Sequence, residues 1–93
     1  GAMSKLNARA VAILRAAPSD YGRPAEACTT WYANRCSPRL STSQARATLQ
    51  QLERKGFMET ARGAGLFRIT SSGIQWLRSL DAGRPWMVRG YKR

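Results

Sequence analysis

The side chains with the longest chemical reach gather between Arg39 and Arg54. Arg39 ends the turn-like stretch Ser37-Pro38-Arg39, and Thr42, Ser43, Gln44, Arg46, Ala47, Gln50 and Arg54 follow at helical spacing. Short hydroxyls come first and long donors later. Arginine presents a planar fork that fits guanine edges and phosphates, while glutamine carries the donor–acceptor pair that fits adenine. Arg46 is therefore the candidate guanine reader, and Gln44 or Gln50 the candidate adenine reader. Gln44 has a second role open to it, because Ser41-Thr42-Ser43-Gln44 fits a helix capping box. Thr42 and Ser43 can hold a phosphate through hydroxyls and free amides. Arg39 is the best phosphate candidate ahead of the helix. Arg54 and Lys55, at its far end, either touch phosphates or are simply solvated.

Other chemistries find little support. The chain has no His, no phosphate-loop motif, and no Ser or Cys with an evident base, so no catalytic role is expected. Two cysteines, Cys28 and Cys36, cannot make a zinc site alone, and an intervening helix would keep them too far apart for a disulfide. They read as small buried apolar residues in a reducing cytoplasm. No cofactor or metal is expected. No apolar run is long enough to span a membrane, and residues 8–17 are interrupted by Arg9 and Arg15, so no signal peptide is expected.

Charge points the same way as the motif. Sixteen Lys and Arg face five Asp and Glu, for a formal charge of +11, and thirteen of the sixteen are Arg. A GC-rich genome explains Arg over Lys but not the scarcity of acids. A polyanionic partner explains both.

These residues need elements to hold them. Gly1 and Ala2 read as a cloning scar ahead of a start at Met3. Ser4 is expected to cap a first helix ending near Ala17, with Leu6, Ala10, Ile13 and Leu14 on one apolar stripe. Pro24 at a first helical position and Glu26 in the first turn predict a second helix over 24–35, with Cys28, Trp31 and Tyr32 inward. A third helix starts after Ser41, buries Ala45, Leu49 and Leu52, and ends at Lys55-Gly56. Residues 57–61 and 66–70 predict a hairpin around Arg62-Gly63-Ala64-Gly65. A last helix begins near Thr70 or Ser71, carries Ile74, Trp76, Leu77 and Leu80, and stops at Asp81-Ala82-Gly83. The domain thus covers 4–83, and 84–93 is a basic aromatic tail with Trp86 and Tyr91.

Two stretches resemble MarR- and PadR-type regulators. Leu40 through Met58 has small polar residues followed by Leu49-Gln50-Gln51-Leu52-Glu53-Arg54-Lys55-Gly56-Phe57-Met58, similar to the family's recognition helix and first wing strand. Phe67-Arg68-Ile69-Thr70-Ser71-Ser72-Gly73 resembles the segment that leads into the helix after the wing. The resemblance covers roughly residues 5–80. It implies an α+β, mainly α, winged helix-turn-helix: a three-helix core, a two-stranded wing and a C-terminal helix. It also implies that the third helix enters the major groove of double-stranded DNA. The family's extra dimerising and ligand-binding helices have no counterpart in 93 residues, so the fold carries over better than ligand sensing.

The expected function is a cytoplasmic, sequence-specific regulator that binds double-stranded DNA, with Arg62 at the wing tip and Arg68 on the returning strand against backbone or minor groove. A homodimer through terminal helices or the tail suits a palindromic site. Two alternatives stay open: a non-specific or architectural binder of DNA or RNA, and a winged-helix module that docks on an acidic protein.

Overall fold

Residues 6–61 and 65–82 are described in the computed structural model. Among them four helices and five short strands form an α+β, mainly helical chain. Helix α1 spans Ala8–Ala16. A tight antiparallel hairpin follows, with β1 at Ser19–Asp20 and β2 at Arg23–Pro24. Strand β3, Ala27–Cys28, runs straight into α2, Thr29–Arg35. Helix α3 is Thr42–Arg54, β4 is Met58–Ala61, β5 is Leu66–Ile69 and α4 is Ser71–Ala82. The larger sheet is antiparallel with β5 in the middle, in the order β3-β5-β4.

The core forms where α1, α2, α3 and one face of this sheet meet. Ile13, Leu14, Tyr32, Leu49, Leu52 and Met58 are fully enclosed there. Each such apolar side chain contributes about 1.5–3 kcal/mol by leaving water. Tyr32 also carries a polar group inside, and its hydroxyl donates to the Phe67 carbonyl at 2.9 Å. Burial pushes the Tyr32 phenol well above its ordinary range, so it stays a neutral donor. Helix α4 is tied to α1 by Arg15, whose guanidinium meets both carboxylate oxygens of Asp81 at 2.7 and 3.1 Å.

Helix α3 follows its sequence signals. Ser41 Oγ accepts from the Gln44 N–H, and Gln44 Oε1 accepts from the Ser41 N–H, so the capping box is closed. Gly56 has φ +84, the left-handed conformation that ends the helix. The expected hairpin is also present, with Glu59 opposite Arg68 and Thr60 opposite Phe67.

Two helix starts differ from expectation. Helix α1 begins after Asn7, whose Oδ1 accepts from the Ala10 N–H at 2.9 Å; Ser4 lies outside the described residues. The second helix begins at Thr29 rather than Pro24. Tyr21 and Gly22 both adopt positive φ, +52 and +79, which reverses the chain and commits Pro24 to β2. Ala27 and Cys28 then pair with Phe67 and Leu66. The sheet that contains the expected hairpin therefore has three strands where two were expected. Local helix-start signals at Pro24 and Glu26 lose to this long-range pairing.

The junction after the hairpin is close-packed. Thr70 Oγ1 donates to the Gly56 carbonyl at 2.6 Å and accepts from the Gly73 N–H at 3.1 Å. A Cβ on Gly73 would stand 2.5 Å from the Phe57 carbonyl oxygen and 2.8 Å from Ile69 Cγ1. Backbone cannot yield cheaply, so Gly73→Ala is expected to cost about 1–3 kcal/mol in urea unfolding. Tyr32→Phe keeps the ring but takes the donor from the Phe67 carbonyl. It should cost about 1–2 kcal/mol with an unchanged denaturant slope.

Candidate nucleic-acid interface

Helix α3 buries one narrow stripe and leaves the rest open. Ala45, Thr48, Leu49 and Leu52 are buried, whereas Thr42, Ser43, Gln44, Arg46, Ala47, Gln50 and Arg54 are all exposed. Thr48 is satisfied within the helix, its hydroxyl donating to the Gln44 carbonyl at 2.8 Å. The core contacts of the stripe hold the outward face rigid.

That face divides by direction. Thr42, Arg46 and Gln50 lie four residues apart along one side. They line a groove of about 350 Å³ with Cys28, Thr30 at the start of α2, and Gly65 at the hairpin. Hydroxyls and long donors from three elements thus face one open trough. Around the corner of α3, Gln44 borders a second groove with Arg9 of α1 and Arg39 of the preceding turn. Arg39 therefore lies on the α1 side and Arg46 on the hairpin side, so the two cations bracket the start of α3.

Gln44 borders the second groove but is engaged. Its Oε1 holds the Ser41 N–H at 3.0 Å. Reading adenine takes the oxygen and the amide nitrogen together, so the cap and the base compete for one side chain. Gln50 has no such duty.

Arg68 lies apart from this set. It forms an ion pair with Glu59, its cross-strand neighbour, with the Arg68 Nε donating to Glu59 Oε2 at 2.8 Å. It lines a third groove with Arg23, Ser71 and Ser72, away from the α3 trough. Arg62 lies outside the described residues, as does the tail with Trp86 and Tyr91. Arg54 is exposed at the C-terminal end of α3, beside exposed Lys55. Glu53, near the end of α3, accepts from the Thr60 hydroxyl at 3.0 Å. Arg35 stacks over Trp31, 4.5 Å from the ring centre, which fastens it to the outer side of α2.

Three of the five acids have partners among the described residues. Asp81 and Glu59 are paired with Arg15 and Arg68, and Glu53 bonds a hydroxyl. No acid occurs from residue 27 to residue 52, a stretch that holds Arg35, Arg39 and Arg46. The start of α3 thus carries basic side chains with no acid in its own stretch of sequence. Among the described residues no three His, Cys, Asp or Glu side chains gather as metal ligands, and no helix is long and apolar enough to cross a membrane.

Sequence reasoning missed Thr30, Cys28 and Arg9. Their places depend on the β3–β5 pairing and on how α1 meets the turn before α3, and neither leaves a local signal. Cys28 was expected inside. The residue is exposed, whereas Cys36 is buried, and burial pushes the Cys36 thiol up. Comparison with protein-family models, with curated proteins and with solved structures finds no match.

The two thiols should therefore differ in reactivity. A maleimide is expected to add once quickly, at Cys28, with Cys36 lagging by at least about tenfold. Mass spectrometry reads the adducts, and in Cys28→Ser the fast adduct should vanish. Equal rates at both thiols would contradict the placement of Cys28 on an open trough.

Proposed function

We propose that the chain is a winged helix-turn-helix module that binds double-stranded DNA in sequence-specific fashion, as a cytoplasmic transcriptional regulator. The observation that carries this reading is the open face over the first turns of α3, where Thr42, Arg46 and Gln50 line one trough and no acid occurs before Glu53. In this reading α2 and α3 form the helix-turn-helix and α3 lies in the major groove. Residues 61–68 form the wing, set against the backbone or minor groove. Arg62 at its tip is the residue nearest to a minor-groove role. Arg68, held by Glu59, has the weaker claim to DNA.

Affinity comes mainly from phosphates. Arg39 and Arg9 serve one flank of α3, and Thr30 and Thr42 serve the other. Arg54 and Lys55 reach the backbone beyond the helix end. A homodimer through the terminal helices or the tail would double this footprint on a palindrome, since one small module covers little DNA.

A second reading is favoured by one observation. Gln44 is tied into its cap and Ser43 and Ala47 are short, so few long readers remain on α3. A non-specific or architectural binder of DNA or RNA needs no more than that. Titrating duplex DNA against salt separates the readings. DNA binding predicts that log affinity falls linearly with log salt, and that Arg39→Ala makes the slope shallower by about one. The specific reading further requires a selected duplex to outbind a random one by at least about 1,000-fold at physiological salt. Equal binding of both leaves the architectural reading. Loss of all salt-sensitive retention would transfer the basic surface to an acidic protein partner.

A further inference from the structure

We infer that the preferred DNA site contains a G·C pair beside an A·T pair, with Arg46 reading the guanine, Gln50 reading the adenine, and Gln44 silent. The inference rests on the DNA-binding reading above and goes further, because it names the bases and the two side chains that choose them.

The geometry narrows the readers to two. Of the long polar side chains on α3, Gln51 and Arg54 do not line the trough, and Gln44 has its carbonyl oxygen on the Ser41 amide, so that a bidentate bond to adenine would open the capping box. Ser43 and Ala47 are exposed but short, so they supply clearance rather than reach. They let the helix axis approach the floor of a major groove. Arg46 and Gln50 remain, on one side of the helix and on one trough. Among the described residues no ion pair takes Arg46; the two ion pairs present join Glu59 to Arg68 and Asp81 to Arg15.

Spacing sets the relation between the bases. Four residues advance about 6 Å along a helix. In docked helices, side chains three or four apart meet successive base pairs. Arg46 and Gln50 thus address neighbouring pairs, not distant ones. Arginine matches the guanine O6 and N7 acceptors, and glutamine matches adenine N6 and N7. Neither side chain is needed for the core, so both can be replaced without unfolding the chain.

Selection of bound duplexes from a random pool tests this with four proteins: wild type, Arg46→Ala, Gln50→Ala and Gln44→Glu. Wild type should enrich the G·C–A·T step. Arg46→Ala should lose about tenfold or more of the discrimination at the G·C pair alone, and Gln50→Ala the same at the A·T pair alone. Gln44→Glu keeps a capping residue, so it should weaken all duplexes alike and leave the base preference intact. The inference is overturned if Gln44→Glu changes the preferred bases. It is equally overturned if Arg46→Ala weakens every duplex uniformly with a shallower salt slope, which would make Arg46 a phosphate contact. A pool that enriches nothing, from a protein that still binds DNA in a salt-dependent way, removes this inference but leaves DNA binding standing. Absence of salt-dependent binding removes both.

Discussion

The hydroxyl of Tyr32, held in the core and donating to the Phe67 carbonyl, joins the helical half of the chain to its sheet. A phenol in that position must find an acceptor, because an unpaired polar group in the interior costs several kcal/mol on transfer scales. The acceptor lies on β5, thirty-five residues further along the chain. Satisfying it draws α2 against the central strand and fixes the angle at which α2 leaves β3. Because β3 pairs with β5 through Ala27 and Phe67, the same strand position is braced from both sides. The trough beside α3 exists because of this bracing. Its far wall is the start of α2 together with Phe67 and Gly65, and the Tyr32 bond and the β3–β5 pairing both hold that wall.

A second set of bonds positions the hairpin against the end of α3. Thr70 holds the Gly56 carbonyl through its hydroxyl and the Phe57 carbonyl through its amide, and it caps α4 through Gly73. One residue therefore links the end of α3, the return from the hairpin and the start of α4. The contact of Gly73 with Phe57 and Ile69 is possible only because no side chain intervenes. The β4–β5 hairpin, the end of α3 and the start of α4 are thus joined at one junction.

The legible parts of the sequence were those whose cause is local. Ser41 and Gln44 sit three apart, and Gly56 follows a basic last turn, so α3 could be bounded on both sides from its own residues. The alternation of Phe57–Ala61 and Leu66–Thr70 around two glycines likewise gave the hairpin. The start of α2 was misread for the opposite reason. Pro24 and Glu26 favour a helix start taken alone, but Ala27 and Cys28 are claimed by a strand some forty residues away. The hairpin at Tyr21 escaped notice because a bulky non-glycine residue with positive φ is a poor turn signal. Among the site residues, Arg46 and Gln50 were legible from helical phase. Thr30, Cys28 and Arg9 were not, because they reach the grooves through tertiary pairing. Arg68 looked available in sequence, yet its register partner Glu59 is what it meets.

Gln44 shows how stability and recognition divide the face of α3. The capping box ends the run of unsatisfied amides at the helix start, and a lost cap costs about 1 kcal/mol. Reading a base would earn a comparable or larger sum only on DNA. In the free protein the cap prevails, and the side chain is tied down. On the proposed DNA-binding reading, the contact with bases would fall to Arg46 and Gln50, whose backbone is already within the helix. Arg46 and Gln50 can spend their full hydrogen-bonding capacity outward without weakening the fold. The same logic places the acids: each of Glu53, Glu59 and Asp81 fastens one element to another, and none is left over the start of α3.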